Sequence, residues 1–238
     1  LDAVVYRAKF VPTPFAARYL EQHTTIKTVV PVSCGIDLDR FQYSDKRPSG
    51  NRVLYVGRLD PEKKLETLLG AIALVPRHLP VRLDIVGDGS RRRALQRLTE
   101  NLAITDRVVF HGRVDDRQLI ELHQAATVFA MPSTAELQSI ASLEAMACGT
   151  PLVLADAMAL PHLVDQGRNG YLVKPENVGA FANAIETVLT LPPETYRAMR
   201  QHSRHRALEH DADRITARYE QLYRLARIPQ EERIGADV

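Results

Sequence analysis

Val128-Phe-Ala-Met-Pro-Ser-Thr-Ala-Glu-Leu-Gln-Ser-Ile-Ala-Ser-Leu-Glu-Ala-Met-Ala-Cys-Gly-Thr-Pro-Leu-Val-Leu-Ala155 reads as a strand, a polar loop, a helix and a second strand. Val128 to Met131 and Leu152 to Ala155 are apolar runs of strand length. Between them Ile140, Leu143 and Ala147 recur at helical intervals, and Gly149 followed by Pro151 stops the pattern. The unit carries two acids eight positions apart, Glu136 in the loop and Glu144 in the helix. Glu144, four after Ile140, falls on or beside the inward face, where a bare carboxylate is costly and needs a partner; vicinal sugar hydroxyls would serve. Glu136 precedes the helix, level with the free N–H groups of Ser139, Ile140 and Ala141, where the helix dipole favours an anion, and a phosphate could sit between the two acids. Taken alone, the pair reads equally well as a capping residue and a solvated helix former.

The same alternation extends along the chain. Val53 to Val56, Val81 to Val86 and Val108 to His111 are strand-like, each followed by a helical pattern: after Pro61, from about Ser90, and from about Asp115. A short helix after Pro161 and the small strand Tyr171 to Val173 follow. This rhythm predicts an α/β fold, a parallel sheet with helices on both faces, with ligands bound where the strand order reverses at the carboxyl ends. Gly57, Gly87, Gly89 and Gly112 each follow a strand, where a backbone turns sharply or lets a ligand approach. Ala180 to Leu189, Pro193 to Leu208 and Ala212 to Ala226 read as helices.

Before Asn51 the pattern changes. Val4-Val5, Phe10 to Pro14 and Thr28 to Val32 have strand character, Phe15 to Gln22 is helical, and Gln42 to Gly50 is a loop. One strand-helix unit cannot build its own core, so residues before about Val29 are expected to belong to a partner domain that is mostly absent.

A chain of 238 residues, 45% hydrophobic and 25% charged, with net charge +2, has the composition of an ordinary water-soluble protein. Nothing in it argues for nucleic acid: no basic stripe is interleaved with aromatics, and Arg91-Arg92-Arg93 reads as a solvated helix start. Cys34 and Cys148 make neither a disulfide framework nor a zinc spacing, which fits a reducing compartment, and no metal motif is present. No apolar run reaches the ~18 residues of a membrane span.

Gly57-Arg58-Leu59-Asp60-Pro61-Glu62-Lys63 follows a strand and opens a helix, so Arg58 as a planar fork and Lys63 as a point charge could converge on a diphosphate. A cation in a first helical turn opposes the dipole, which a bound anion would offset. That segment, Ile85-Val-Gly-Asp-Gly89, Phe110-His-Gly-Arg-Val114, Met131-Pro-Ser133, the stretch through Glu144-Ala-Met-Ala-Cys-Gly-Thr-Pro151 and Asp165-Gln-Gly-Arg-Asn-Gly170 occur in the order that resembles family 4 glycosyltransferases. The resemblance covers roughly Pro31 to Leu189, with Val11-Pro-Thr-Pro-Phe15 similar to the last strand of an acceptor domain. Gly35-Ile-Asp-Leu-Asp-Arg-Phe41 resembles the segment that enters the donor domain.

The resemblance implies a retaining bacterial enzyme of the two-domain GT-B type, of which this chain is mainly the C-terminal donor half with a Rossmann-like sheet. It divides the chain into a remnant of the acceptor domain at 1–28, a donor domain at 29–208 and a helix at 209–238 that crosses back. Arg58 and Lys63 match the cations that neutralise the donor diphosphate, Glu136 the acid on the transferred hexose, and Glu144 the acid on the ribose. Ser139 and Ile140 would present amides to phosphate, Arg113 and Val114 would lie beside the base, and Gly57, Gly87, Leu137 and Gln138 complete the donor site. The implied partners are a nucleotide-diphosphate sugar of UDP-glucose or GDP-mannose type and the missing N-terminal acceptor domain. No cofactor or obligate metal is implied. The cytoplasm is the expected compartment, with the full enzyme at the inner membrane face where its acceptor is a lipid. The chain alone is expected to be an incomplete enzyme.

Departures from the family pattern concern the hexose side. Leu137-Gln138-Ser139 replaces a Gly-rich loop and resembles some bacterial enzymes that glycosylate lipids. Lys64 stands where glycine is frequent, and Ala157-Met-Ala-Leu-Pro-His162 replaces Gly-Gly-Pro-Glu, with His162 read as structural. His111 reads as packing and Cys148 as a small buried filler. The competing function is a catalytically inactive nucleotide-binding module on the same fold; a dinucleotide oxidoreductase is disfavoured because no Gly-x-Gly-x-x-Gly follows the first strand. Intact Glu136, Glu144, Arg58 and Lys63 favour the enzyme.

Overall fold

A strand whose every residue is buried must be covered on both faces. Val128–Met131 and Leu152–Ala155 are buried along their whole length. A computed structural model of the chain, describing residues 9–26 and 29–227, places both in the middle of one parallel sheet. The predicted strand character of Val4-Val5 and the Thr28 end of the next predicted strand lie outside the described residues.

The small strands β1 (Lys9–Val11) and β2 (Val29–Pro31) pair in parallel with each other, separately from the large sheet, and helix α1 (Pro14–His23) joins them. The Thr13 hydroxyl caps α1 by accepting from the Ala16 amide. The large sheet then follows as β3 (Asn51–Val56), β4 (Val81–Val86), β5 (Val108–Gly112), β6 (Val128–Met131), β7 (Leu152–Ala155) and β8 (Gly170–Val173). Its strand order is β5-β4-β3-β6-β7-β8, every neighbouring pair parallel. The order therefore reverses between β3 and β6, which sets the ligand crevice at the tips of those two strands.

Helices α2 (Leu65–Leu74), α3 (Arg92–Asn101) and α6 (Val178–Leu189) pack as one layer, with α2 against both of the others. Helices α4 (Asp116–Ala125), α5 (Ile140–Ala147) and α7 (Pro193–Ala207) form a second layer, with α5 against both α4 and α7. The last helix, α8 (Ala212–Arg227), lies against the small sheet: Phe10 meets the rings of Tyr219 and Tyr223, and the Tyr219 hydroxyl reaches the Val32 carbonyl at 3.4 Å. Ile36 is bridged to Asp211, so the chain leaving the small sheet and the chain entering α8 run side by side.

Two local predictions need correction. The segment after Pro61 is not yet α-helix: Pro61–Lys63 is a single 3-10 turn, and Lys64 adopts a left-handed backbone, φ +52°, before α2 begins. That conformation disfavours a residue with a Cβ, which accounts for glycine being the common occupant in the family pattern. The segment around Pro161 is likewise a 3-10 helix, Leu160–Leu163.

Candidate functional site

Glycine lets the tips of β3 and β4 come into close contact. Gly87 has φ +123°, and a Cβ there would stand 2.0 Å from the Gly57 carbonyl oxygen. Its amide donates to the Gly112 carbonyl at 2.7 Å, while the Gly57 amide donates to the Val86 carbonyl at 3.0 Å. The three strand tips are thereby laced into one floor. Under it lies Tyr55, wholly buried, whose hydroxyl donates to the Arg58 carbonyl at 2.8 Å. Burial pushes its phenol well above the usual range, with the Glu136 carboxylate adding to the shift. Gly57, Arg58, Gly87, Arg113 and Val114 line one open cavity of 420 Å³, joined by Val56, Val86, Asp88 and Leu119. Five of the residues singled out from sequence therefore meet in one place.

Across the crevice, Lys63 and Glu136 meet each other. Lys63 Nζ stands 2.6 Å from Glu136 Oε1, with side chains only 12% and 11% exposed. This differs from the two predicted cations converging on one anion. Arg58 instead donates to Asp60 at 2.5 Å and to Glu62 at 2.7 Å, with a side chain 68% exposed. Lys63 lies in the 3-10 turn and not in the first turn of α2, so the expected conflict with a helix dipole does not arise. Asp60 is fixed from the far side by the Ser90 amide and hydroxyl, and these hydrogen bonds, ahead of Arg58, hold its carboxyl below the usual range.

The loop before α5 shows which residues cap the helix. Ser139 is the N-cap, its hydroxyl accepting from the Ser142 amide at 3.3 Å. Glu136 is therefore no cap; its backbone carbonyl accepts from the Ala159 amide, and its carboxylate faces Lys63. Among the described residues the amides of Ser139, Ile140 and Ala141 have no protein acceptor, as expected for the first turn of a helix. Leu137 is exposed, and its carbonyl accepts from Thr13 Oγ1 at 2.9 Å. Gln138 turns toward the segment before β3, accepting from the Cys34 amide and donating to Ser33 Oγ, each at 2.8 Å.

Glu144 is neither bare nor solvated. Its Oε2 stands 3.1 Å from Nε2 of His123, a residue that sequence reasoning did not single out. A lone histidine late in an amphipathic helix gives no signal of its own, and the pair spans two helices. His111, read as packing, is polar in its contact: Nε2 is 2.8 Å from the buried Asp84 carboxylate, which also holds Arg52 and Arg82. Cys148 is buried, and burial pushes its thiol up to about 12.

His162 is partly buried near His210, ring centroids 6.5 Å apart, and His210 Nδ1 lies 2.8 Å from Ser33 Oγ. Burial, followed by the neighbouring His162, pushes His210 down to about 4. A histidine held neutral in the fold stabilises it fully above about pH 6.5 and loses that stabilisation as pH falls toward 4. Equilibrium unfolding from pH 7 to 4 is expected to lose on the order of 3 kcal/mol from this residue. The His210→Asn variant should flatten that part of the profile, and an unchanged slope would exclude His210 as its source.

Among the described residues no group of three or more His, Cys, Asp or Glu side chains is placed to hold a metal ion. No described helix is long and apolar enough to cross a membrane.

A doubly wound parallel sheet with a cavity at the tips of β3, β4 and β5, and with the Lys63–Glu136 pair at the β3/β6 switch point, has the Rossmann-like architecture of one half of a GT-B glycosyltransferase fold. The chain belongs to the family of glycosyl transferases group 1, whose model matches residues 39–206. It is 37% identical over 171 residues to the D-inositol 3-phosphate glycosyltransferase of Mycobacterium leprae, covering 66% of this chain and 39% of that protein. With the Mycolicibacterium smegmatis enzyme of the same name it shares 34% identity over 200 residues, 78% of this chain and 45% of the relative. The chain thus spans less than half the length of either. Among solved structures, sucrose-phosphate synthase from Thermosynechococcus elongatus superposes with TM-score 0.82 at 30% identity, covering 92% of this chain and 58% of that one. Anabaena Alr3699/HepE, solved with UDP and glucose, has TM-score 0.81 at 23% identity, covering 90% and 62%, a likeness of fold.

Proposed function

We propose that this chain is the donor-binding half of a retaining glycosyltransferase of family 4. It would move a hexose from a UDP-glucose- or GDP-mannose-type donor to an acceptor, a lipid or a glycan. The observation that carries this reading is the nearly enclosed Lys63–Glu136 pair at the switch point, formed by the turn after β3 and by the loop that leads into the free amides of α5. An ammonium has three N–H donors, so Lys63 can keep Glu136 and still bind a phosphate oxygen. Arg58 adds to this by exchanging partners: at its exposure the bridges to Asp60 and Glu62 are worth about 0–1 kcal/mol, less than a charge-assisted fork on phosphate.

The chemistry follows from where the charges stand. As the bond to the anomeric carbon breaks toward an oxocarbenium-like state, negative charge grows on the leaving diphosphate, beside Lys63, Arg58 and the amides of Ser139 and Ile140. Charge fixed in place beforehand costs no reorganisation when the reaction occurs. Attack from the same face, assisted by the departing phosphate, retains configuration. Glu136 takes a hexose hydroxyl and Glu144 the ribose, with the base over Val114 and Arg113. With the diphosphate neutralised by side chains and amides, no cofactor or obligate metal is assigned. Acceptor recognition is assigned to residues outside this chain, residues 1–28 to the acceptor side, and α8 to the helix crossing back to it; of the predicted 209–238 segment, 228–238 lie outside the described residues. The full enzyme is placed in the cytoplasm, at the inner membrane face when its acceptor is a lipid. In support, the relatives carry glycosyltransferase names, and Alr3699/HepE is also known in complex with UDP-glucose.

Calorimetric titration with UDP, GDP and ADP, then with UDP-glucose and GDP-mannose, tests this. Saturable binding of one nucleoside diphosphate is expected, weakened at least tenfold by Glu144→Ala, a change of about 1.4 kcal/mol. Failure of all five ligands to bind the folded chain would overturn the proposal.

A further inference from the structure

We propose that His123 is the positioning residue for Glu144, holding its carboxylate for the ribose hydroxyls of the nucleotide. The inference rests on the assignment of Glu144 to the ribose made above. His123 stands in the last turn of α4, and its side chain is fully buried. Its ring is clamped between the edge-on Phe41 ring, centroids 5.5 Å apart at 85°, and the near-parallel Phe129 ring at 6.0 Å and 18°. The Phe41 carbonyl is in turn held by Arg204 at 3.2 Å, which ties the segment before β3 to α7. The imidazole therefore has little freedom to rotate, and its one hydrogen-bonded atom is Nε2, 3.1 Å from Glu144 Oε2.

The tautomer follows from the partners. An ionised carboxylate only accepts, so Nε2 carries the hydrogen. Nδ1 is buried and has no partner among the described residues. With no acceptor at Nδ1, the ring's one satisfied N–H is that of Nε2. That N–H steers the carboxylate by direction, as a hydrogen-bond donor fixed in place by the two rings. His123 is the one side-chain partner of Glu144 among the described residues, so Oε1 is left to accept from a hydroxyl pair. As a core filler, a leucine or phenylalanine would serve this site without leaving Nδ1 unsatisfied. The polarity of His123 has a single outlet, and that outlet is Glu144.

The test compares UDP, GDP and ADP with their 2′,3′-dideoxy counterparts on the full chain and on His123→Gln, His123→Asn and His123→Phe. Glutamine can set an amide N–H where Nε2 stands, whereas asparagine is too short and phenylalanine has no donor. The wild-type chain is expected to prefer the ribose form by at least tenfold. His123→Phe and His123→Asn should bring that ratio to within about threefold of unity with little change for the dideoxy form, and His123→Gln should keep most of it; either of the first two suffices if the other does not fold. A ratio unchanged in both, or equal weakening of both nucleotide forms in all variants, would overturn the role. Long-range proton–nitrogen NMR of the ring gives an independent readout: Nε2–H is expected, and a proton on Nδ1 would also overturn it. Absence of any ribose preference in the wild-type chain, or of any binding, would instead reject the underlying assignment of Glu144.

Discussion

Replacing Lys63 by methionine is expected to lower both stability and donor binding, and a second substitution separates the two. Lys63 and Glu136 are nearly enclosed, so removing the cation strands a carboxylate that water reaches poorly. Breaking such a pair costs about 3 kcal/mol, far more than the pair contributes in net terms. In the double variant Lys63→Met with Glu136→Gln no charge is left unpaired, and most of that stability should return in urea unfolding. Nucleoside diphosphate affinity should not return: it is expected to stay on the order of 100-fold below wild type, about 2.7 kcal/mol, because the cation assigned to the diphosphate in the proposed function is still missing. A double variant that binds UDP or GDP as the wild type does would remove Lys63 from the site and leave the pair a structural one.

The other large effect is expected at Gly87. Its φ of +123° is closed to a side-chain-bearing residue, and an added Cβ would meet the Gly57 carbonyl oxygen at 2.0 Å. Strain in such a backbone costs on the order of 1–3 kcal/mol, and displacement of a packed strand tip a similar amount again. Gly167→Ala supplies the comparison, since Gly167 has φ +74° but open space around its Cβ position. Gly87→Ala should destabilise the chain by roughly 4 kcal/mol against about 1 kcal/mol for Gly167→Ala, read from urea midpoints at constant slope. Equal losses at the two positions would mean that the strand tips at 57 and 87 are not held in contact. In variants that still fold, the shift of Gly57 would also disturb the cavity lined by Arg113 and Val114.

Much of this protein was legible from local pattern. Val128–Met131 and Leu152–Ala155 begin and end where the apolar runs begin and end, because a strand buried on both faces must be apolar throughout. The glycines at the strand tips were also recoverable, and of the residues lining the cavity Gly57, Arg58, Gly87, Arg113 and Val114 were singled out, since each βα turn brings its own short sequence to the same edge of the sheet. What the chain alone determined is therefore the set of strands and helices, their parallel rhythm and the edge on which the βα turns gather, all of which depend on neighbours within a few positions.

Only the tertiary structure decided the pairings. Whether Lys63 faces a phosphate or Glu136, whether Arg58 turns outward to Asp60 and Glu62, and whether Gln138 reaches the cavity or Ser33 depend on how separate loops approach each other. The left-handed backbone at Lys64, which detaches Lys63 from α2, belongs to the same class, as does the contact of His123 with Glu144 across two helices. A hydrogen bond forms or fails within a few tenths of an ångström. Hydrophobic periodicity locates a helix face but not the distance between two side chains on different helices, and that distance is set by the packing of the whole sheet and its two helical layers.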